Sequence, residues 1–196
     1  MRLDIGNGYY LTGVRKADKE AYLEHLDDGG EISAYMPIIP YPYTEEVAEW
    51  WVRHRLEFTR RIGREISFAI RNPEDRLIGA VGAEDFTIGE SHRAEVSFWL
   101  ARGYRRRGIM TAALRAFVRY AFECLEVIRL TAHTLDCNTA SAKVLEKNGF
   151  RLEGCLRKHT RIGGALFDTL AYGLLEEDGR IGEDVTLITQ EFPSHT

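Results

Sequence analysis

The residues with the clearest potential for chemistry lie between positions 99 and 111, which read Trp-Leu-Ala-Arg-Gly-Tyr-Arg-Arg-Arg-Gly-Ile-Met-Thr. An apolar, strand-like run ends at Leu100, and a helical pattern begins at Ile109. A helix N-terminus carries N–H groups without intrahelical partners and a partial positive charge, so it binds phosphate oxygens. Gly108 permits a ligand to approach the backbone closely. The segment therefore predicts an anion site; the alternative is a solvated arginine cluster that begins an ordinary surface helix.

A second segment, residues 138–150, follows a strand-like run and reads Asn-Thr-Ala-Ser-Ala-Lys-Val-Leu-Glu-Lys-Asn-Gly-Phe. Together the two segments resemble the acyl-CoA-binding core of the GNAT acetyltransferase superfamily, which combines an Arg/Gln-x-x-Gly-x-Gly/Ala turn with a downstream Asn-x-x-Ala/Ser helix that ends in Gly-Phe. The matching positions are Arg105, Gly108, Asn138, Ser141, Gly149 and Phe150. Met110 departs from the small residue of that turn. The Gly-Ile-Met turn and the Leu-Glu-Gly-Cys run at 152–155 resemble RimJ/RimL-type protein N-acetyltransferases, and the likeness extends from Tyr9 to about Leu175.

The resemblance implies an α/β (α+β) fold of GNAT type, with a mixed, mainly antiparallel sheet flanked by helices and a β-bulge or splay at the acetyl-CoA site. The backbone of Trp99 and Leu100, at the end of the splayed strand, is expected to bind the pantetheine arm and the thioester carbonyl. Residues 105–111, the phosphate turn, would bind the pyrophosphate through backbone N–H groups, and Arg106 or Arg107 the terminal ribose phosphate. The predicted cofactor-binding residues of this turn are Arg105, Arg106, Arg107, Gly108, Ile109, Met110 and Thr111.

The resemblance also assigns roles at the start of the second helix. Asn138 is expected to bind pantetheine through its amide, and the alternative is a plain helix N-cap. Ser141 matches a serine that acts near the CoA sulfur as proton donor, and the alternative is packing beside the cap. Leu145 occupies the position at which many members of the superfamily carry a tyrosine that acts as the general acid. Cys137 has no histidine or carboxylate at an informative spacing, so we do not expect it to be a nucleophile.

A carboxylate could take the proton that the attacking amine loses. Glu95 lies within an apolar strand, at the position that matches the general-base glutamate of several members of the superfamily, and is the first candidate. Glu84 on the neighbouring strand is the competing candidate, and Asp85 is a weaker one. The alternative for all three is an ordinary carboxylate on the solvent face of a strand.

Composition limits the other classes of function. With 196 residues that are 44% hydrophobic, we predict one domain over 1–196, with a core from about 9 to 175 and a tail of unassigned placement. A net charge of −4 argues against nucleic acid as a partner. Three cysteines without a Cys-x-x-Cys spacing and six scattered histidines argue against disulfides and a metal site. The sequence shows no membrane span or signal peptide, so we expect a cytoplasmic protein.

The hydrophobic pattern predicts the elements that position these residues. Strands are expected at 9–14, 66–70, 77–86, 94–100, 127–133, 150–159 and 166–175. Helices are expected at 17–26, from the N-cap Thr44 to Gly63, at 109–123 and after Asn138. The aromatic stripe of the second helix is interpreted as core. Strands on either side of the last two helices predict crossover connections and hence a mixed sheet.

The function that these predictions support is transfer of an acetyl group from acetyl-CoA to a primary amine, with a protein or peptide N-terminus as the expected acceptor. A small amine, such as a polyamine, an amino acid or a drug, is the alternative acceptor. A non-catalytic acyl-CoA-binding sensor is the alternative from another class. A homodimer is left open.

Overall fold

The computed structural model describes residues 1–84, 91–178 and 187–188, the last two by their backbone alone. Its strands are β1 (Arg2–Gly6), β2 (Tyr9–Gly13), β3 (Ser67–Arg71), β4 (Leu77–Glu84), β5 (Arg93–Leu100), β6 (Arg129–Leu135), β7 (Arg151–Ile162), β8 (Ala165–Leu175) and β9 (Leu187–Ile188). Its helices are α1 (Lys19–Leu26), α2 (Glu45–Ile62), α3 (Ile109–Cys124) and α4 (Thr139–Lys147). Within the described residues the strands form one sheet in the order β7-β8-β6-β5-β4-β3-β2-β1-β9.

The N-terminal edge of the sheet differs from the sequence prediction, which placed the first strand at 9–14. β1 precedes it, and a left-handed turn through Asn7 (φ 53°) and Gly8 (φ 78°) folds β1 antiparallel onto β2. The tail returns to the same edge, where the backbone of β9 pairs with Arg2 and Leu3 of β1. Residues 2–6 carry only two alternating apolar side chains, which is too short a pattern to predict a strand from periodicity.

Helix boundaries agree with the local signals in the sequence. At the start of α2, Thr44 Oγ1 accepts a hydrogen bond from Val47 N at 3.4 Å, which satisfies one of the free N–H groups of the first turn. At its end, Gly63 adopts the left-handed conformation at φ 75°. Gly108 precedes α3 in the same conformation, at φ 78°. The predicted N-cap and both predicted glycine boundaries are confirmed.

The sheet is mixed, as predicted. β2 to β5 form an antiparallel meander, and β5 and β6 are parallel neighbours joined through α3. The second crossover, from β6 through α4 to β7, does not place its two strands side by side. β8 lies between them, antiparallel to both, because the 163–164 hairpin turns it back into the gap.

Each face of the sheet has its own apolar core. On one face, α3 packs over the central strands, where Phe68 of β3 makes edge contacts with Phe117 at 6.3 Å and Tyr120 at 5.0 Å between ring centroids. On the other face, α1 and α2 pack against β4 and β5, and Tyr22 lies 5.8 Å from Trp99. Burial raises the pKa of Tyr22 to about 12, so its hydroxyl stays protonated.

One buried ion pair fastens the start of α1 to the sheet. Arg71 of β3 is 1% exposed, and its Nη1 and Nη2 donate to the two carboxylate oxygens of Asp18, each at 2.9 Å. Its Nε donates to Thr12 Oγ1 on β2 at 2.6 Å. Asp18 also accepts from the backbone N–H of Arg15 at 2.7 Å. The bidentate geometry and the additional partners compensate both charges for their removal from water.

We predict that Asp18→Ala lowers the free energy of unfolding by about 3 kcal/mol, because it leaves the buried Arg71 guanidinium with only the half-exposed Asp75 carboxylate, 3.7 Å from its Nε, as a counter-ion. Urea unfolding followed by circular dichroism measures the change. Glu24→Ala is the matched control, since it breaks an ion pair with Arg76 in which both side chains are more than half exposed. The control should cost about 1 kcal/mol or less. Equal losses for the two variants would contradict the role given to Arg71 and Asp18.

Candidate active site

The phosphate turn has the geometry of an anion site. Ala112 N donates to Gly108 O at 3.0 Å, so the N–H groups of Ile109, Met110 and Thr111 precede the first hydrogen bond within α3. Gly108 is exposed, and a Cβ built on it would meet nothing within 4 Å. The N-terminus of a 16-residue helix therefore opens to solvent at this turn. Met110, the departure from the small-residue pattern, is buried and packs in the core beneath α3.

The three arginines of the turn have different surroundings. Arg105 Nε donates to the carbonyl oxygen of Leu100 at 2.9 Å, and its Nη1 binds Glu31 Oε1 at 2.7 Å. Arg105 thus ties the turn to the end of β5 and to the loop between α1 and α2. Arg106 and Arg107 are exposed, and the Arg107 guanidinium lies 5.7 Å from the Tyr104 ring centroid. The latter two side chains have the freedom that binding a phosphate requires.

β5 and β6 diverge beside this turn. Their parallel pairing runs only from Arg93–Arg129 to Glu95–Thr131, and the rest of β5 pairs with β4 alone. The predicted splay is present. The β4–β5 register continues without a shift from Glu84–Glu95 to Gly79–Leu100, so the predicted bulge is absent from this pair of strands. The gap is opened by the divergence of β6 alone.

Trp99 and Leu100 take different positions beside the splay. Ala101 N donates to Ile78 O on β4, so by alternation the backbone of Trp99 also faces β4, whereas that of Leu100 faces the splay. The Leu100 carbonyl already accepts from Arg105, which leaves its N–H for a ligand. The backbone role predicted for both residues thus suits Leu100, while Trp99 contributes a buried side chain to the opposite face.

The two candidate bases form a cross-strand pair with different partners. Glu84 of β4 lies directly opposite Glu95 of β5. Glu84 accepts hydrogen bonds from Arg55 Nη2 and, at 3.3 Å, from Ser97 Oγ. Glu95 Oε1 lies 2.9 Å from His133 Nδ1 on β6, and both side chains are about one-third exposed. The two carboxylates are similarly exposed, at 31% and 35%, but Glu84 is the counter-ion of the buried Arg55, whereas Glu95 pairs with the partly exposed His133 at the last residue pair before the splay. Asp85 lies outside the described residues.

α4 begins at the edge of the sheet where the phosphate turn lies. β5 and β6 are parallel, so the helices that follow them, α3 and α4, both begin beyond the same end of the sheet. Asn138 Oδ1 accepts from Ser141 N at 3.2 Å, which makes Asn138 the N-cap of α4. A contact with pantetheine would therefore use the Nδ2 group of the same amide. Ser141 is half-buried in the first turn, and Leu145 is fully buried in the core.

An apolar cavity of about 370 Å³ lies on the other face of β4 and β5, beneath α2. Glu84, Ser97 and Trp99 contribute to its floor. Its walls include the loop residues Met36, Ile38 and Ile39 and the α2 residues Val47, Trp50 and Trp51. The aromatic stripe of α2, interpreted from the sequence as core, is divided: Phe58 packs against the core beneath α3, whereas Trp50 and Trp51 line the cavity and Trp50 is half exposed.

Arg55 is the residue of this site that sequence reasoning missed. It lies on α2, is 6% exposed, and its guanidinium stacks 4.2 Å from the Trp51 ring centroid while it binds Glu84. Among the described residues its Nε has no hydrogen-bond partner. An arginine one helical turn after Trp51 was the available signal, but its partner lies on a strand 29 positions away.

Within residues 1–84 and 91–178 no group of three or more histidine, cysteine, aspartate or glutamate side chains could hold a metal ion. The helices of the described part of the chain are all too short or too polar to cross a membrane.

Comparison with known proteins gives matches over most of the chain. The family model for the acetyltransferase (GNAT) domain matches residues 9–151. The probable N-acetyltransferase YjcK of Bacillus subtilis is 37% identical over 105 residues, which cover 54% of this chain and 58% of that protein. The ribosomal-protein-serine acetyltransferase of Escherichia coli is 32% identical over 101 residues, or 50% of this chain and 55% of that protein. The chain thus spans little more than half the length of these curated relatives.

A solved structure extends the likeness to the whole fold. Mycobacterium smegmatis RimJ, in complex with CoA-disulfide, superposes with a TM-score of 0.75 at 25% identity. The superposition covers 90% of this chain and 86% of that one. The mixed sheet and its flanking helices are therefore those of a GNAT fold, as the sequence motifs predicted.

We predict that Gly108→Asp abolishes or greatly weakens binding of CoA at the phosphate turn, because it places a carboxylate beside the free N–H groups of α3. Isothermal titration calorimetry with CoA measures the affinity. Gly63→Asp is the matched control: Gly63 has a similar φ of 75° and equally open surroundings. Arg64, next to it, donates to the carbonyl oxygen of Cys124 at the opposite end of α3. Unchanged CoA affinity in folded Gly108→Asp would remove the basis for the site.

Proposed function

The chain belongs to the acetyltransferase (GNAT) family, and we propose that it is an acetyl-CoA-dependent N-acetyltransferase whose acceptor is the α-amine of a protein or peptide. The observation that carries the proposal is the splay between β5 and β6, which lies between the start of α3 and the capped start of α4. That arrangement suits a long ligand with phosphates at one end and an amide-bearing arm at the other.

In this proposal the phosphate turn and the splay bind acetyl-CoA. The N–H groups of Ile109, Met110 and Thr111 would bind the pyrophosphate, and Arg106 or Arg107 would reach the ribose phosphate. Arg105 acts instead through its backbone and as the tie between the turn and Leu100. The Leu100 N–H and the Asn138 amide would bind the pantetheine arm and orient the thioester in the splay.

The reaction forms one bond and breaks one bond. The amine nitrogen attacks the thioester carbonyl carbon, the carbonyl oxygen becomes an oxyanion, and the C–S bond then breaks to release CoA as a thiolate. Other backbone N–H groups of β5 that face the splay would stabilise the oxyanion. The amine proton leaves to a base, and a second proton neutralises the thiolate. No covalent enzyme intermediate is required.

Glu95 is the base in this scheme. Its carboxylate is accessible and paired with His133, so a proton taken from the amine has a route to solvent. An alkyl thiol such as that of cysteine has a pKa near 8.5, so the CoA thiolate requires little protonation to leave. Ser141, half-buried beside the Asn138 cap, is the side chain proposed to supply that assistance.

The proposed acceptor rests on the likeness to ribosomal-protein acetyltransferases and on the loop at 36–43. An α-amine has a pKa near 8 and a lysine side chain one near 10.4, so an α-amine loses its proton more readily at neutral pH. The loop is rich in proline and aromatic residues and loses little entropy when it binds a chain end. A small amine remains the other acceptor to be tested.

We predict that Glu95→Gln lowers kcat by about 100 to 10,000-fold with little change in the KM for acetyl-CoA, because the base acts on the amine. Release of CoA thiol, read with a thiol reagent, measures turnover. The enzyme alone is the blank, since Cys137 and Cys155 are exposed and also react. Glu84→Gln is the comparison variant. A large loss for Glu84→Gln with normal turnover for Glu95→Gln would transfer the role of base to Glu84.

We predict that a peptide with a free N-terminus is acetylated and that the same peptide with a formylated N-terminus is not. Mass spectrometry locates the acetyl group, and a lysine in the peptide provides the internal comparison. Acetylation that persists on the lysine after blocking would indicate a lysine-directed enzyme. Acetylation of free amines alone would indicate a small-molecule enzyme. Binding of CoA without any acetylation would support the non-catalytic sensor.

A further inference from the structure

The cavity beneath α2 is large and apolar for an acceptor that begins with a small residue. Its volume of about 370 Å³ falls within the range of pockets that enclose whole small molecules. The E. coli relative is named for acetylation of serine, whose side chain is a single hydroxymethyl group. Such a side chain would leave most of this cavity unfilled. All three tryptophans of the chain, Trp50, Trp51 and Trp99, line the cavity.

The charges at the floor of the cavity are already neutralised. Arg55 and Glu84 bind each other, so a charged side chain that entered would lose its hydration without finding a free counter-ion. An uncharged apolar group loses no such hydration and gains from leaving water. The Nε–H of Arg55 is buried without a partner among the described residues, so an oxygen atom on the bound acceptor would satisfy it.

The rim of the cavity is apolar, and two acidic side chains that do not line the cavity lie close to it in sequence on α2. Ile38 is 66% exposed and Trp50 is 50% exposed, although both contact the cavity. Glu46, one helical turn before Trp50, and the adjacent Glu49 are exposed on α2. Their negative charge favours the approach of a protonated amine, while the apolar rim favours an apolar group attached to it.

We propose that this cavity selects acceptors that carry a bulky, uncharged apolar group, above all an aromatic ring, on the carbon next to the amine. The inference rests on the proposed function and narrows its acceptor class. An aromatic side chain has the area and the rigidity to pack among three tryptophans. The amine itself would remain beside β5, because this strand contributes to the floor of the cavity and also borders the splay.

The test is a set of peptides that are identical except for the first residue: Phe, Leu, Ser, Ala and Glu. We expect kcat/KM for the Phe peptide to exceed that for the Ser peptide by about tenfold or more, as hydrophobic pockets discriminate by group size. Equal or better use of Ser or Ala would overturn the inference and leave the proposed acetyltransferase activity intact. If only free amines are acetylated, phenethylamine and ethanolamine replace the peptides, and preference for ethanolamine overturns the inference.

Variants connect the preference to the cavity. Trp50→Ala removes a half-exposed wall, so the fold should survive, and we expect it to lower kcat/KM for the Phe peptide about tenfold while that for the Ser peptide changes little. Ile128→Ala is the matched control, since Ile128 is 56% exposed and lies outside the cavity. Equal losses on both peptides would indicate a structural effect and contradict selection by Trp50.

Intrinsic tryptophan fluorescence gives a readout that does not depend on turnover. Because every tryptophan lines the cavity, phenethylamine that enters it should change the emission of the CoA-bound protein, and ethanolamine at the same concentration should not. No change with phenethylamine would overturn the inference even if no amine is acetylated. A change without acetylation would support the cavity while the proposed function fails.

Discussion

β5 and β6 are parallel neighbours that share hydrogen bonds only up to Glu95–Thr131, after which each keeps its partner on the other side and the two strands separate. Backbone N–H and C=O groups along the gap lose their partners within the sheet and must find others. One of them, the Leu100 carbonyl, binds Arg105 and so fastens the start of α3 beside the gap. The parallel direction of β5 and β6 places the starts of α3 and α4 beyond the same end of the sheet, and the separation of the two strands adds free strand edges between those helix starts. A fully paired sheet would leave no free strand backbone between the two helix starts.

Much of the fold follows from short-range signals, and the rest from contacts that no short window contains. Thr44 and Gly63 predict the limits of α2 because capping depends on one residue and its near neighbours. β1 was missed because residues 2–6 offer only Leu3 and Ile5 as alternating apolar side chains, although Leu3 is fully buried in the core and β1 pairs on both sides. The Arg71–Asp18 pair joins positions 53 residues apart, and nothing in the residues next to Arg71 distinguishes a buried arginine from an exposed one.

In the candidate site, too, the residues at local turns and caps were predictable, whereas those that meet through distant contacts were not. Gly108 and Asn138 were predictable because a glycine turn and an N-cap are local signals that depend on one residue and its near neighbours. The cavity beneath α2 was not, because Trp50 has the same helical spacing whether it meets a core or an open space. Arg55 and Glu84 come together only when α2 packs across β4. Apolar side chains that line a ligand pocket recur with the same spacing as those that form a core, so the sequence pattern does not distinguish a pocket from a core.

The position of β8 has a consequence for the order in which the chain can assemble. β6 pairs with β5 over only three residues, and within the described residues β7 pairs with β8 alone, so β7 has no place in the sheet until β8, which ends at residue 175, has been synthesised. The meander and α3, by contrast, depend on residues before position 125. During synthesis the phosphate turn can therefore form on an early folding unit, and the Asn138 side of the gap is added by a late, non-local strand pairing, which is intrinsically slow.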